Sequence, residues 1–394
     1  SMKKILSVAT VFALLVVGAV SAKAAVDLGN GYSLNGTGNI AFYGASKSLG
    51  AEGAEPSTLT TDGENYRFEL YLNKAFDNGG KAVLRLRSGD REFNTALGNF
   101  RGAVNDQSFG GNGGNSISGT NANNLITLRE LYYQQPLFEK LVYFKIGKMQ
   151  PPTSGNNGGN SIGSFFTDDP TVQNVDGLLG SYGVEVGVSP ISILTFSYTF
   201  LGQDKYAENS ADGNGLFSYG YHTFLLTAQP IEKGNYRLGF WYSDITRTPL
   251  ETKDDPSGSN GVFFSADQIV ADYFQLFARF GIRTDKTVGL GQFSQAGMGW
   301  QVGSTFLGGL WGRAADSFFL GIGQASYQVA SSANDVPNAE LHLEVNYSFS
   351  LASGISLTPF FQYVSDIYTA TTDVNGDYVY DSGMAYGIRT QIKF

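Results

Sequence analysis

The sequence predicts an all-β protein: a single antiparallel transmembrane β-barrel of about sixteen strands, with long loops on one rim and short turns on the other. Three observations carry this. First, the chain closes on a strictly alternating strand. Tyr386, Ile388, Thr390, Ile392 and Phe394 share one face, and Gly387, Arg389, Gln391 and Lys393 share the other. Such a strand wants hydrocarbon on one side and water on the other. Second, the connections between alternating segments are long and short by turns. Third, the amino terminus has the form of an export leader, and no later apolar run is long enough to anchor a helix in a membrane.

The leader consists of basic Lys3 and Lys4, an apolar stretch over 5–20, and Ala22-Lys23-Ala24 as a small-x-small cleavage site. Ser1 reads as a remnant ahead of the natural start. The expected organisation is therefore a cleaved leader over 1–24 and one barrel over 25–394, with no second domain. A terminal strand of this kind on an exported chain resembles the carboxyl-terminal signal of outer-membrane barrels. That implies recognition of Phe394 by the barrel-assembly machinery. It also implies contact with outer-membrane lipid and lipopolysaccharide in a Gram-negative cell, where an oligomer is compatible with the barrel.

The strands follow in order from their alternation. The first is 34–44. In the second, Tyr66, Phe68, Leu70 and Leu72 point outward and Arg67, Glu69, Tyr71 and Asn73 inward. In the third, Ala82, Leu84 and Leu86 point out and Val83, Arg85 and Arg87 point in. Then come 126–134, 141–149, 182–188, 194–200, 223–229, 236–242, 262–268, 274–283, 297–303, 318–327, 340–349, 355–364 and the terminal strand. The connections 47–64, 90–124, 151–180, 201–221 and 246–261 are long. Those at 77–80, 136–140, 190–192, 230–233 and 271–272 are short. A soluble sandwich has no reason to keep that parity, whereas a membrane barrel produces it.

Composition narrows the function classes. The chain has no cysteine, which removes disulfides, thiol chemistry and zinc-thiolate sites. Its formal charge of −9 falls to −12 once Lys3, Lys4 and Lys23 leave with the leader, which argues against nucleic acid. Glycine (51), tyrosine (22) and phenylalanine (29) are abundant while mean hydropathy is only −0.12, as expected when alternate strand positions face lipid and water.

Several segments resemble the carbohydrate-selective porin family (OprB type). They are 127–135 (TLRELYYQQ) with 141–148 (LVYFKIGK), 234–242 (GNYRLGFWY), 274–281 (FQLFARFG), 339–347 (AELHLEVNY) and 355–363 (ISLTPFFQY). The pattern departs at 310–316, where a proline-rich turn is lacking. What the resemblance implies is a sixteen-stranded pore for sugars.

The inward positions hold Arg67, Glu69, Arg85, Arg87, Lys145, Glu185, Arg237, Asp267, Arg279, Arg283, Glu340, His342 and Glu344. A lumen with both signs of charge orders water and discriminates solutes. Arginine forks and carboxylates also hydrogen-bond hydroxyls, and Tyr71, Tyr143 and Trp241 offer faces for a pyranose. Arg129 and Glu130 are adjacent, so alternation places them on opposite faces. Either Arg129 lies near the rim or a bulge intervenes, with Glu130 on the lumen side. The arginines and glutamates are expected to face one another across the pore, with 151–180, carrying Phe165 and Phe166, as the candidate loop folding inside.

No cofactor is expected. One loop, with Asp373, Asn375, Asp377 and Asp381, carries the alternating oxygens of a Ca²⁺ site. Its glycine comes early and the closing glutamate is missing, so an ordinary outer loop is the plainer reading. His222 and His342 are the only histidines, and there is no His-Glu-x-x-His or Gly-x-Ser-x-Gly motif, so an enzyme is not expected. The leading expectation is a passive channel with a preference for sugars. A general or anion-selective porin on the same barrel, and a barrel serving as adhesin or scaffold, remain as alternatives.

Overall fold

The structure is a computed structural model that describes residues 25–46, 62–89, 126–150, 181–203, 219–243, 259–283, 296–327, 340–372 and 378–394. Residues 1–24, expected from the sequence to be a leader, and most of each connection expected to be long lie outside the described residues. The strands are β1 (Val26–Gly29), β2 (Tyr32–Ser46), β3 (Asp62–Ala75), β4 (Lys81–Gly89), β5 (Thr127–Leu137), β6 (Val142–Met149), β7 (Ser181–Ile191), β8 (Leu194–Gln203) and β9 (Tyr219–Ala228). They continue with β10 (Gly234–Ser243), β11 (Ser259–Val270), β12 (Phe274–Arg283), β13 (Ala296–Leu307), β14 (Ser317–Tyr327), β15 (Glu340–Ala352), β16 (Ile355–Thr372) and β17 (Tyr378–Lys393).

From β2 to β17 each strand pairs antiparallel with the next. β17 then returns to β2, from Lys393 opposite Thr37 to Met384 opposite Ser46, and closes a sixteen-stranded barrel. Closure leaves no strand edge, the condition for a sheet to sit in hydrocarbon.

The seventeenth strand, β1, was not expected. It folds back on β2 through Gly29, Asn30 and Gly31, all with positive φ, and pairs Val26 with Leu34. β3 occupies the other edge of β2 along Tyr32 to Gly44, so β1 continues the line of β17 past its end. Four residues are too few for alternation to mark.

Pleating explains which side each residue takes. Phe196, Leu238 and Ile146 are 50–54% exposed, and all alternate with polar or small neighbours that are more covered. Thr199, Thr223, Ser265 and Gln301, on the opposite face of their strands, are fully buried. Apolar residues outside and polar ones inside invert a soluble protein, and match a wall between lipid and a polar interior.

Local chemistry sets the short turns. At 77–80 the Phe76 N–H donates to the Gly80 carbonyl and the Gly79 N–H to the Phe76 carbonyl, each at 2.9 Å. The Asn78 side chain accepts from the Gly80 N–H at 3.0 Å, and Gly79 takes φ +81°. The expected turn at 190–192 is tighter, because Pro190 and Ile191 still belong to β7. β13 runs over Ala296–Leu307, longer than the 297–303 that alternation marks.

The connection 308–316, where the proline-rich form is missing, is held instead by one carboxylate. Asp316 accepts from Arg313 Nε at 2.5 Å, Tyr347 Oη at 2.8 Å and the Ser350 N–H at 2.9 Å. Trp311 Nε1 donates to Tyr347 Oη at 2.8 Å. Phe306, Trp311, Phe318 and Tyr347 line an outward recess there, part of an aromatic belt at this rim.

The hydrogen bond from Arg313 holds the Asp316 carboxyl down at about 2, below its ordinary 3.8. A depressed carboxylate stabilises the fold above its unfolded pKa and loses that contribution as pH falls through the folded one. Thermal unfolding measured between pH 5 and pH 2 is therefore expected to show the turn weakening only below about pH 4. Asp316→Asn is expected to lower the midpoint at pH 5 and to flatten that acid dependence. An unchanged midpoint in the variant would remove Asp316 as the tie.

Candidate functional site

The richest polar constellation lies on the inner wall of β3, β4 and β5. Register sets Glu69 opposite Arg87, Tyr71 opposite Arg85, and Arg85 opposite Glu130. Arg85 reaches Glu69 at 2.9 Å through Nη2 and Glu130 at 2.7 Å through Nη1, which also touches Gln150 Oε1 at 3.1 Å. Arg87 Nε donates to Glu69 at 2.6 Å, and Tyr71 Oη donates to the same carboxylate at 2.8 Å. The Arg85 guanidinium lies 5.1 Å from the Tyr71 ring centroid.

Two cations and two carboxylates thus form one neutral network, with side chains 7–15% exposed. Charges this buried persist only when paired and hydrogen-bonded.

The network depends on a bulge. Glu130 pairs with Arg85 and Leu128 with Leu86, which leaves Arg129 as the extra residue. Adjacent Arg129 and Glu130 therefore need not take opposite faces.

Further round the wall, Lys145 stands opposite Glu185, yet its ammonium lies 4.2 Å from the Tyr132 ring centroid. Glu185 accepts from Tyr143 Oη at 2.8 Å and from Thr199 Oγ1 at 3.3 Å. The Tyr143 ring lies flat over Gly187, where a Cβ would stand 2.0 Å from it.

Trp241 is fully buried in a cluster with Met149, Leu201, Tyr221 and Phe263, and stacks on Tyr221 at 6.1 Å. In this packing it presents no face to a solute. Glu344 is 1% exposed and accepts from Asn346 and Gln362 at 2.8 and 2.9 Å. Arg237 and Arg279 flank Ser265 from the neighbouring strands. Arg279 is 2% exposed, beside Phe277.

Arg67, Arg283 and Glu340 belong to β3, β12 and β15, but their side chains lie outside the described residues. So does loop 151–180. In the candidate Ca²⁺ loop, Asp373, Asn375 and Asp377 lie outside the described residues, and Asp381 is placed in β17 only as backbone. Among the described residues no group of three or more His, Asp or Glu gathers to hold a metal.

The expectation of arginines facing glutamates across the pore meets a different geometry at β3–β5, where the charges pair sideways along the wall. Sequence reading missed Gln150 and Tyr132. Gln150 carries no pattern, because it sits just past the end of β6. Arg389 was placed on the polar face of the last strand without a role, and it stands on the inner wall opposite Thr358 and Ala41.

A closed sixteen-stranded barrel, apolar outside and lined with paired charges, is an outer-membrane channel. The chain belongs to the carbohydrate-selective porin, OprB family, whose profile matches residues 92–394. Its place is the outer membrane of a Gram-negative bacterium.

Among solved structures it is similar to OprB of Pseudomonas putida at high pH (TM-score 0.66, 14% identity, 93% of this chain and 94% of that one). It is also similar to an anion-selective porin from Comamonas acidovorans (TM-score 0.56, 12% identity, 92% and 99%). A third is OmpT of Vibrio cholerae, folded in vitro, in its trimer form (TM-score 0.54, 11% identity, 92% and 99%). At such identities these likenesses show the fold alone. No curated protein matches the chain by sequence.

Proposed function

We propose that the channel passes small saccharides by passive diffusion, and that Glu69, Arg85, Glu130 and Tyr71 form the principal station on the way. The observation that carries this is Arg85 bridging two carboxylates beside an aromatic ring. A neutral solute rich in hydroxyls needs donors, acceptors and an apolar face at once, with no net charge. This network supplies all three. A dedicated anion pore would leave cations uncompensated, whereas here Arg85 and Arg87 are both neutralised.

Passive diffusion calls for no cofactor and no catalytic group, so we read the protein as a channel and not an enzyme. The trimer of the Vibrio relative supports an oligomer here as well. Phe394 at the end of β17 supports assembly through its carboxyl-terminal signal, and the apolar outer wall supports contact with membrane lipid and lipopolysaccharide.

The test is sugar block of single-channel current. Glucose-sized saccharides are expected to reduce conductance through the reconstituted pore, and Arg85→Ala is expected to weaken that block about tenfold, the scale of one hydrogen bond to a charged group. Strong anion preference with no response to sugar would favour an anion channel instead.

A further inference from the structure

One cation of the barrel wall faces outward with no acid to meet it. Lys148 is the last residue but one of β6, at the long-loop rim. Register sets it opposite Leu131 of β5 and Tyr182 of β7. Leu131 and Tyr182 are exposed on the outer wall, as are Ile146 and Val184 two places along their strands. Alternation in β6 sends Tyr143 and Lys145 to the lumen, so Lys148 shares the lipid side with Ile146.

A charge on the lipid face of a barrel is destabilising in a depth-dependent way, so one that is kept there points to a partner. Lys148 Nζ lies 6.0 Å from the Tyr182 ring centroid, at the outer limit of a cation–π contact. Among the described residues it has no carboxylate and no hydrogen-bond acceptor. The charge that acts on it is that of Arg129, the residue left over by the β5 bulge, and that charge is positive too. The other outward cation on a described strand, Lys74, stands at the opposite rim and donates to the Asn30 carbonyl.

The counter-charge for Lys148 therefore has to come from outside the chain. Among the described side chains of β2–β17 no Asp or Glu takes the outward face, so a second copy packed wall to wall would bring no acid. A small hydrated anion would lose its water among Leu131, Ile146 and Val184. The outer leaflet supplies a better match. Long loops mark the outer side of such a barrel, and interfacial tyrosines such as Tyr182 and Tyr242 mark the headgroup level. Lipopolysaccharide carries its phosphates at that level and its acyl chains below it.

We propose that Lys148 and Tyr182 hold a phosphate of lipopolysaccharide on the outer wall between β5 and β7. The ammonium donates to one phosphate oxygen and the Tyr182 hydroxyl to another, while acyl chains lie along Leu131, Ile146 and Val184. Charge-assisted bonds of this kind are short and strong, and the lysine stem lies along apolar wall while its head reaches the interface. The site rests on the contact with lipopolysaccharide proposed above, gives it a place, and is independent of the solute that the channel passes.

The experiment is titration of the folded channel in detergent with bisphosphorylated lipid A and with the same lipid dephosphorylated. Bound lipid is counted by native mass spectrometry, and folding is checked by the heat-dependent shift on a gel. The unaltered channel is expected to prefer the phosphorylated lipid. Lys148→Met is expected to weaken that lipid about tenfold and to leave the dephosphorylated one within about twofold. Lys148→Arg keeps the charge and is expected to bind at least as tightly as the unaltered channel.

Unchanged binding of the phosphorylated lipid by folded Lys148→Met overturns the site and leaves the general lipid contact standing. Equal affinity of the unaltered channel for the two lipids overturns it as well, and needs no variant to fold. Loss of an oligomer in Lys148→Met with lipid binding intact gives the cation to a neighbouring copy and overturns the lipid site. No binding of either lipid to the unaltered channel overturns site and contact together.

Discussion

Glu69→Gln is expected to shift the channel toward anions and to destabilise the barrel. One carboxylate is paired with two guanidiniums, Arg85 at 2.9 Å and Arg87 at 2.5 Å. Glutamine keeps the volume and part of the hydrogen bonding but removes the charge, so the network gains a net positive charge where it had none. Breaking one side of a buried pair costs on the order of 3–5 kcal/mol, because the remaining charge is left uncompensated. The side chains involved are 7–13% exposed, so solvent screens little of this. Reversal potentials in a salt gradient should move toward the anion. Urea unfolding should begin at lower concentration. Arg85→Ala should move the reversal potential the other way, since it frees Glu130 and half of Glu69. A Glu69→Gln channel with unaltered ion preference would show that the network does not border the conducting path.

Gly36→Val is expected to stop most chains from closing the barrel. Gly36 sits at the seam, where its N–H donates to the Phe394 carbonyl at 2.9 Å and its carbonyl accepts from the Phe394 N–H at 3.1 Å. The Phe394 ring lies over it, so a Cβ would stand 2.6 Å from the ring and 2.9 Å from the Glu69 carbonyl oxygen. The ring can swing away, but the carbonyl is fixed in the β2–β3 ladder. Overpacking of this kind costs about 1–3 kcal/mol where the backbone can shift, and here the last strand must dock through it. In vitro refolding, read by the heat-dependent shift of folded barrel on a gel, should show the variant folding to a small fraction of the normal yield. Adding Phe394→Ala should restore only part of it, because the Glu69 carbonyl remains. Full folding of Gly36→Val would place the close approach outside the assembly step.

The two sites meet on β3, through the carboxylate of Glu69 in one case and its backbone carbonyl in the other. Thr37 of the seam strand stands opposite Glu69, so the place where the barrel closes is one strand away from the charge network. A seam fault is therefore expected to reach the network, whereas a fault in the network leaves the seam hydrogen bonds in place.

What the sequence determined by itself was everything governed by the nearest neighbours along the chain. Alternation over Tyr66 to Asn73 or Tyr386 to Phe394 is a two-residue period imposed by lipid on one side and water on the other, so it can be read without knowing what lies alongside. The order of strands and the parity of loops followed, and with them a closed barrel of sixteen strands. The conflict at Arg129 and Glu130 was also visible, because a bulge breaks that same local period.

Tertiary structure alone decided what depends on register between strands far apart in sequence. Glu69 meets Arg85 and Arg87 only because β3 pairs with β4 at that offset, and Glu130 joins them only through the bulge in β5. Trp241 is buried because Tyr221 and Phe263 turn their rings against the same stretch of wall, which no single strand records. β1 finds its place only once β17 has closed on β2 and left the end of that edge open. Pleat is a property of one strand, while pairing offset, ring packing and closure belong to the whole sheet.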